Sequence, residues 1–571
     1  MSGGDPTPAP GRLIAVCRAD LTGRYDWIPP PRVDDLTIVL DGIAYHDLAS
    51  RRPLLFDELQ SWEERSAAEC RIAELLVAIR ESPAVAAIER HGHRLIDFAE
   101  LRLRIELARL LCGWTLARAG AGARELVCDP GAPPALIMGA RAGLDLDPSS
   151  VPYAIPPALP GSRVTRTVAR PLMRALAAGS RPERVRIAAV VAGKLSLALA
   201  SLPAAELRAA GVGAMPFPGL DHGNGALLAL RRRLPLLATY GPRRPGPGPA
   251  VCMPARLGLD EAEPLDRAMT LLVGRLLAGT ASELEQAVAA LTGLTRASSL
   301  RALVLPSAAY GASRLLIDWA HKRGLRVGAM QHGIYSFREF DGGDRRADVI
   351  FGWGAATTEQ MHAWPEPRPA VWTVGVPGTH VSRAAPSATS LRRALIATSD
   401  TVDTPITSSA FCETFIDVLT PGVRRLAAAG VGVTLRPHPN EDPERYRRML
   451  SERELDVEIV AGGPFSVAAA DILISSTSSV AFEAAAQGLP VLLWLGVAPQ
   501  WVRRKHFVPP WTEWAPGMFQ LPSDFDELVD DLLQRPGVAF EVARGLGRGL
   551  AQYTEVFQPE RFAAGLRALT V

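Results

Sequence analysis

The sequence predicts an α/β protein built from parallel sheets in several lobes, and three observations carry that prediction. Short apolar runs such as Ile472-Leu473-Ile474, bounded by polar residues and too short for helices, read as buried parallel strands. Good helix formers lie between such runs, for example residues 480–487, which stop at Gly488. At 571 residues the chain exceeds what one core accommodates, and ordinary domain sizes imply about three to four domains or lobes.

The elements follow in order. Leu13-Ile14-Ala15-Val16 and Leu36-Thr37-Ile38-Val39-Leu40 are strands, followed by long Ala/Leu/Arg/Glu helices to about Gly120 and a strand at Glu125-Leu126-Val127-Cys128. Strands separated by helices define an α/β region. A basic connector with Arg163, Arg166, Arg170, Arg174, Arg181 and Arg184 leads across a boundary near residue 180 into the strand opened by Val185-Arg186-Ile187. The Gly/Pro stretch 241–249 builds neither ladder nor helix and reads as a surface loop. Ala302-Leu303-Val304-Leu305 and Arg326-Val327-Gly328-Ala329-Met330 then flank a helix over 312–323, one βαβ unit. Its second strand ends in Gln331-His332-Gly333, which sets His332 at a carboxyl end of the sheet, where α/β proteins receive ligands. The chain leaves this lobe through Trp353-Gly354 and Val374-Gly375-Val376-Pro377, with a hinge after Pro377. The last lobe opens with Leu395-Ile396-Ala397-Thr398-Ser399-Asp400, a strand with Ser399 among the hydroxyls at its end.

Two motifs of this last lobe point to an anion. Ser475, Ser476, Thr477, Ser478 and Ser479 follow the strand Ile472-Leu473-Ile474 and precede the helix that carries Glu483. Serines at a helix N-terminus present N–H and O–H donors to an anion. A cap explains Ser478 or Ser479 taken alone, but five hydroxyl residues exceed what a cap needs. One βα unit earlier, Arg436-Pro437-His438-Pro439 follows the strand Val431-Gly432-Val433-Thr434-Leu435. The prolines fix the backbone around His438, and Arg436, two residues back, shares its face of an extended chain. An isolated His-Pro reads as a turn; its place beside the serine cluster points to a phosphate leaving group held by both residues.

Composition excludes other classes. Hydrophobic content of 48% and charged content of 21% are ordinary for a globular protein. A net charge of +2 argues against a nucleic-acid partner. Cys17, Cys70, Cys112, Cys128, Cys252 and Cys412 are dispersed without the close pairs of a zinc site, which fits a reduced, cytoplasmic chain. Residues 1–11 lack the basic-then-apolar order of a signal peptide. The most apolar stretch, 187–202, is interrupted by Lys194 and runs into Pro203, short of a membrane span, so membrane contact is expected only at the periphery.

Gln331-His332-Gly333, Trp353-Gly354, Val374-Gly375-Val376-Pro377, Arg436-Pro437-His438-Pro439 and the block from Ser475 to Pro490 occur in an order that resembles bacterial surface-polysaccharide glycosyltransferases of the GT-B fold. The capsule polysaccharide transferases, the bacterial sialyltransferases and the CDP-glycerol glycerophosphotransferases are the groups it resembles most, over about residues 300–500. The resemblance implies two Rossmann-like lobes around a cleft: an acceptor-side lobe over 185–378 and a nucleotide-sugar-binding lobe with C-terminal helices over 390–571, after an additional N-terminal α/β region over 12–180. It implies that His438, Ser478 and Ser479 hold the nucleotide phosphate, cytidine-linked in those relatives, and that Glu483 meets ribose hydroxyls. For His332 it implies acceptor activation or a phosphate contact. The paired-acid-then-Gly motif of the sialyltransferases is approached only at Leu40-Asp41-Gly42 and Phe340-Asp341-Gly342, and the position eight before Glu483 holds Ser475 rather than a second glutamate.

The expected chemistry is transfer of a sugar or sugar-like group from a nucleotide donor to a surface-polysaccharide or glycolipid acceptor at the inner face of the cell membrane. The nucleotide sugar is the substrate and no cofactor is expected; with no convincing Asp-x-Asp motif, neither is a metal. His332 is the expected base, since imidazole titrates near neutral pH, and its alternative is a structural histidine bonded to a loop carbonyl. Arg436, His438, Ser399, Ser475, Ser476, Ser478, Ser479 and Glu483 are the expected nucleotide-binding residues. Competing readings are a sugar-nucleotide epimerase of the same fold and a non-catalytic nucleotide-binding subunit of a polysaccharide assembly complex. The arginines of 163–186 are expected on the surface, toward anionic lipid or a lipid-linked acceptor.

Overall fold

The computed structural model describes residues 10–17, 25–40, 47–59, 62–86, 89–90, 93–130, 132–152, 184–215, 217, 224–237, 260, 262–292, 299–308, 311–333, 346–362, 368–379, 391–398, 410–438, 441–461, 470–475, 478–494 and 525–571. Asp41, Asp341, Ser399, Ser476, the loop 241–249 and the connector arginines up to Arg181 lie outside these residues. Arg184 and Arg186, the described end of that connector, are exposed.

Three parallel sheets organise the chain. The first holds β1 (Arg12–Val16), β2 (Asp35–Val39), β3 (Leu54–Leu55) and β4 (Glu125–Cys128) in the order β3-β2-β1-β4. Its helices are α1 (Trp62–Glu81), α2 (Leu95–Ala119) and α3 (Pro134–Gly143). Gly113 of α2 and Gly139 of α3 let the two helices meet backbone to backbone, since a Cβ on either would stand 1.9 Å from a carbonyl oxygen of the other helix. Half-buried against the core of this unit, the Cys128 thiol is pushed up to about 12 by desolvation and stays protonated.

The second sheet holds β5 (Ile187–Ala189), β6 (Val212–Ala214), β7 (Ala302–Leu305), β8 (Arg326–Met330), β9 (Val349–Gly352) and β10 (Ala370–Thr373) in the order β10-β9-β8-β7-β5-β6. Strands β5, β7 and β9 are buried end to end, as the apolar runs predict for a sheet covered on both faces. Helices α4 (Gly193–Ser201), α5 (Ala204–Ala210), α6 (Asn224–Arg232), α7 (Pro264–Thr292), α8 (Gly311–His321) and α9 (Ala355–His362) accompany it. One continuous core joins α2 with α7, α8 and this sheet, so the N-terminal unit is seated on the second lobe.

The third sheet holds β11 (Arg393–Ala397), β12 (Gly432–Arg436), β13 (Glu458–Ile459), β14 (Ile472–Ser475) and β15 (Val491–Leu493) in the order β13-β12-β11-β14-β15, with a core of its own. Its helices are α10 (Ala410–Ala428), α11 (Pro443–Glu452), α12 (Val480–Ala486), α13 (Phe525–Gln534) and α14 (Pro536–Ala551). Helix α11 starts where Asp442 caps the Glu444 N–H at 3.0 Å and Pro443 takes the first turn.

One expectation needs correction. The sequence places residues 390–571 in the last lobe, whereas the terminal helix α15 (Pro559–Ala568) crosses back and packs on the second sheet. Phe562 stacks edge-on against Phe351 at 5.1 Å. The crossing is anchored by Val376 N–H donating to the Glu555 carbonyl at 2.9 Å and Gln558 N–H donating to the Val374 carbonyl at 2.8 Å. Gly375, at φ +83°, lets the chains meet, because a Cβ there would stand 2.3 Å from the Val556 oxygen. Two doubly wound lobes around a cleft, with a C-terminal helix returning to the first of them, make this a GT-B fold carrying an extra N-terminal α/β unit.

The N-terminal unit also touches the last lobe. Arg448 on α11 donates to Asp47 Oδ1 at 2.7 Å, and the Tyr25 hydroxyl donates to Asp47 Oδ2 at 2.8 Å. Partly exposed pairs of this kind contribute modestly, so a double-mutant cycle on Asp47→Asn and Arg448→Met is expected to return a coupling of about 0.5–1 kcal/mol in the hydrogen-exchange protection of α11. A coupling of zero would mean that the two groups meet without tying the units together.

Candidate functional site

Parallel sheets bind ligands beyond the carboxyl ends of their strands, at the point where strand order reverses. In the third sheet that point lies between β11 and β14. Register places Ala397 of β11 opposite both Arg436 of β12 and Ser475 of β14, so the two sequence motifs do open on one edge. Arg436 is the last residue of β12 and is half-buried.

The backbone of His438 is held by a group that sequence reasoning missed. Its N–H donates to Thr398 Oγ1 and to Glu441 Oε2, both at 2.8 Å. The Thr398 hydroxyl donates to the same Glu441 oxygen, and the Tyr446 hydroxyl donates to Glu441 Oε1 at 3.1 Å. The Glu441 N–H in turn donates to the His438 carbonyl at 2.9 Å. Thr398, Glu441 and Tyr446 are all buried. A glutamate three residues after the histidine, just before the Asp442-Pro443 helix start, was the available signal.

The serines divide. Ser475 is buried, and among the described residues its hydroxyl has no hydrogen-bond partner. Ser478 is buried with Oγ 3.5 Å from the Val480 N–H, and Ser479, at the N-cap position of α12, makes no side-chain capping bond among the described residues. Capping therefore accounts for neither hydroxyl well. Helix α12 is only seven residues long, one shorter than the sequence suggests, so the dipole it adds is small.

The second lobe supplies the facing wall. His332 follows β8, placed by Gln331, whose Oε1 accepts from the Trp353 N–H at 2.7 Å and from the Thr357 hydroxyl and whose Nε2 donates to the Gly333 carbonyl at 3.0 Å. Lys194, which the sequence presents only as a break in an apolar run, stands in the first turn of α4 just beyond β5. Its Nζ lies 2.6 Å from Glu483 Oε1 across the cleft and 5.7 Å from the Trp353 ring centroid. Trp353 is buried, and among the described residues its Nε1–H has no hydrogen-bond partner.

Electrostatics follow from this packing. Burial pushes the Arg436 pKa down, opposed by the charge of Glu483, and the guanidinium remains protonated. His332 sits below its ordinary value, first through desolvation and then through the positive charges of Lys194 and His438. His332 is itself exposed to solvent, which tempers this depression. A neutral imidazole therefore stands near cationic Lys194, whose partner Glu483 also lies in the field of Arg436. Such a site attracts an anion and offers a base next to it. Among the described residues no group of three or more His, Cys, Asp or Glu is assembled for a metal ion.

Solved structures similar to this chain include UDP-GlcNAc 2-epimerase from Neisseria meningitidis bound to UDP-GlcNAc, at 12% identity over 66% of this chain and 95% of that one with a TM-score of 0.37. MurG from Acinetobacter baumannii has 13% identity over 67% and 99% of the two chains and a TM-score of 0.37. The wall teichoic acid polymerase TagF has 12% identity over 71% and 95% and a TM-score of 0.39. At these identities and scores no residue role passes from them to this chain. No family model matches the sequence. No curated protein matches it either.

Proposed function

We propose that the protein is a metal-independent glycosyltransferase that moves a sugar or sugar-like group from a cytidine-linked nucleotide donor to a surface-polysaccharide or glycolipid acceptor. The observation that carries this reading is the meeting of Arg436, His438 and Glu483 of one lobe with His332 and Lys194 of the other in a single cleft. In this scheme His332 takes the proton of an acceptor hydroxyl, whose oxygen bonds to the anomeric carbon as the bond from that carbon to the donor phosphate breaks. Arg436 and His438 stabilise the charge that grows on the leaving phosphate, and the hydroxyls of Ser475, Ser478 and Ser479 add donors. Closure of the lobes keeps water from the activated sugar. Among the described residues no helix is long and apolar enough to cross a membrane, and the proposed location is the cytoplasmic face, next to a lipid-linked acceptor.

A thermal-shift panel of CMP, CDP, UDP and GDP tests the donor. A ligand selective for the native state stabilises it by about 2.7 kcal/mol at a hundred times its Kd, and the cytidine nucleotides are expected to give the largest shifts. Equal shifts from all four remove the cytidine assignment, and no shift from any removes the donor site. Consumption of donor only with an acceptor present separates the transferase from an epimerase.

A further inference from the structure

Lys194 has no counterpart among the motifs of the nucleotide lobe, yet it occupies the corresponding position in the other lobe. In the second sheet the strand order reverses between β5 and β7, and the loop leaving β5 turns through Gly193 directly into Lys194. Gly193 has φ +49°, in the left-handed region, and its Cβ position lies 3.9 Å from His332 Nδ1. The turn thus sets the lysine beside the proposed base.

From there the side chain spans the cleft. The Lys194 and Glu483 side chains retain only 17% and 12% exposure, so both charges have given up most of their water to make a pair between lobes. A desolvated ion pair is a weak source of stability, because the loss of hydration offsets much of the attraction. Its placement makes more sense as ligand chemistry. Glu483 lies in the field of two cations, Lys194 and Arg436, and its carboxylate presents to Lys194 the kind of oxygen a phosphate would present.

We propose that Lys194 is a phosphate-binding residue contributed by the acceptor lobe, and that the donor's diphosphate replaces Glu483 as its partner, freeing the carboxylate for donor hydroxyls. The inference rests on the donor-binding reading above and adds to it the residue that makes phosphate recognition depend on both lobes. A nucleoside without phosphate has nothing to exchange for the carboxylate and leaves the pair intact.

The test is calorimetric titration of the full chain with cytidine, CDP and inorganic pyrophosphate. Lys194→Met is expected to weaken CDP binding about 10- to 100-fold, the range for loss of one charge-assisted hydrogen bond, while cytidine affinity stays unchanged. Lys194→Arg keeps the charge and is expected to bind CDP within about threefold of the parent protein. Glu483→Gln releases the lysine from its carboxylate, so pyrophosphate affinity rises, and the rise disappears when Lys194→Met is added. The Glu483→Gln single variant keeps Lys194 in place, so its gain in pyrophosphate affinity stays decisive if Lys194→Met folds poorly. CDP binding unaffected by Lys194→Met, or pyrophosphate binding unaffected by Glu483→Gln, overturns the proposal while leaving the donor site standing. A parent protein that binds neither cytidine nor CDP overturns both.

Discussion

His332→Ala is expected to reduce turnover by about 10² to 10⁴ while nucleotide affinity holds, since loss of a general base acts on the chemical step. His438→Ala is expected to do the reverse and weaken the nucleotide, because it removes a donor from the phosphate side. The two residues follow strands of different sheets, β8 and β12, yet His438 lies within electrostatic reach of His332. Their separation into two jobs is therefore a real question, and equal loss of nucleotide affinity in both folded variants would assign them to one site. The pH profile adds a second reading. Because the His332 pKa is depressed from its ordinary value of about 6.5, the neutral base predominates at pH 7 and activity falls only as pH drops through the lower folded value. Partial desolvation, the leading cause, survives in Lys194→Met, while the repulsion from the lysine does not, so the acid limb is expected to move up toward, but not to, the ordinary value. His438 is the other charged group acting on the ring, and His438→Ala removes its contribution in the same direction. The same shift bears on stability. Around pH 6 the folded chain binds fewer protons at His332 than the unfolded chain, so this contribution is present above the unfolded pKa and is lost as pH falls.

The parallel sheets were legible because their signal is local. An apolar run such as Ile472-Leu473-Ile474 announces a buried strand without reference to anything distant, and the register of β11 with β12 and β14 then brings Arg436 and Ser475 to one edge. The residues that escaped are those whose meaning is set by a partner far along the chain. Lys194 looks like an interruption of a hydrophobic segment until Glu483 is placed opposite it. Helix α15 looks like one more amphipathic helix of its own lobe, since nothing in its pattern says that Phe562 packs on Phe351 of the other. Helix boundaries were near rather than right: α8 begins at Gly311 and ends at His321 where the sequence suggests 312–323, because terminal turns depend on local capping. The N-terminal region, which resembles no family in sequence, follows the same rule of short buried strands and has the strand order of half a doubly wound sheet.

Glu441 shows how much of the site lies behind its visible residues. Its carboxylate receives the His438 N–H, the Thr398 hydroxyl and the Tyr446 hydroxyl in a buried setting, so Glu441→Ala takes an acceptor from three donors at once, of which the His438 N–H keeps Thr398 Oγ1. Each buried group left unsatisfied costs about 1–3 kcal/mol, and the sum is expected to reach about 3 kcal/mol or more in the lobe that carries the His438 loop. Tyr446→Phe removes one hydroxyl that has this partner and should cost about 1 kcal/mol, while Glu441→Gln keeps one acceptor oxygen but turns an amide donor toward groups that already donate, and falls between. Whole-chain unfolding does not report this cleanly, because a chain of several lobes is not a two-state system. Hydrogen exchange resolved to β12 and α11 does, and the order Glu441→Ala, Glu441→Gln, Tyr446→Phe in lost protection is the expected result. Nucleotide affinity should fall in the same order, since the imidazole of His438 is only as well placed as the backbone that carries it. Protection in β12 and α11 unchanged by Glu441→Ala would show that the loop is held without this carboxylate, and the effect on nucleotide binding should then vanish with it.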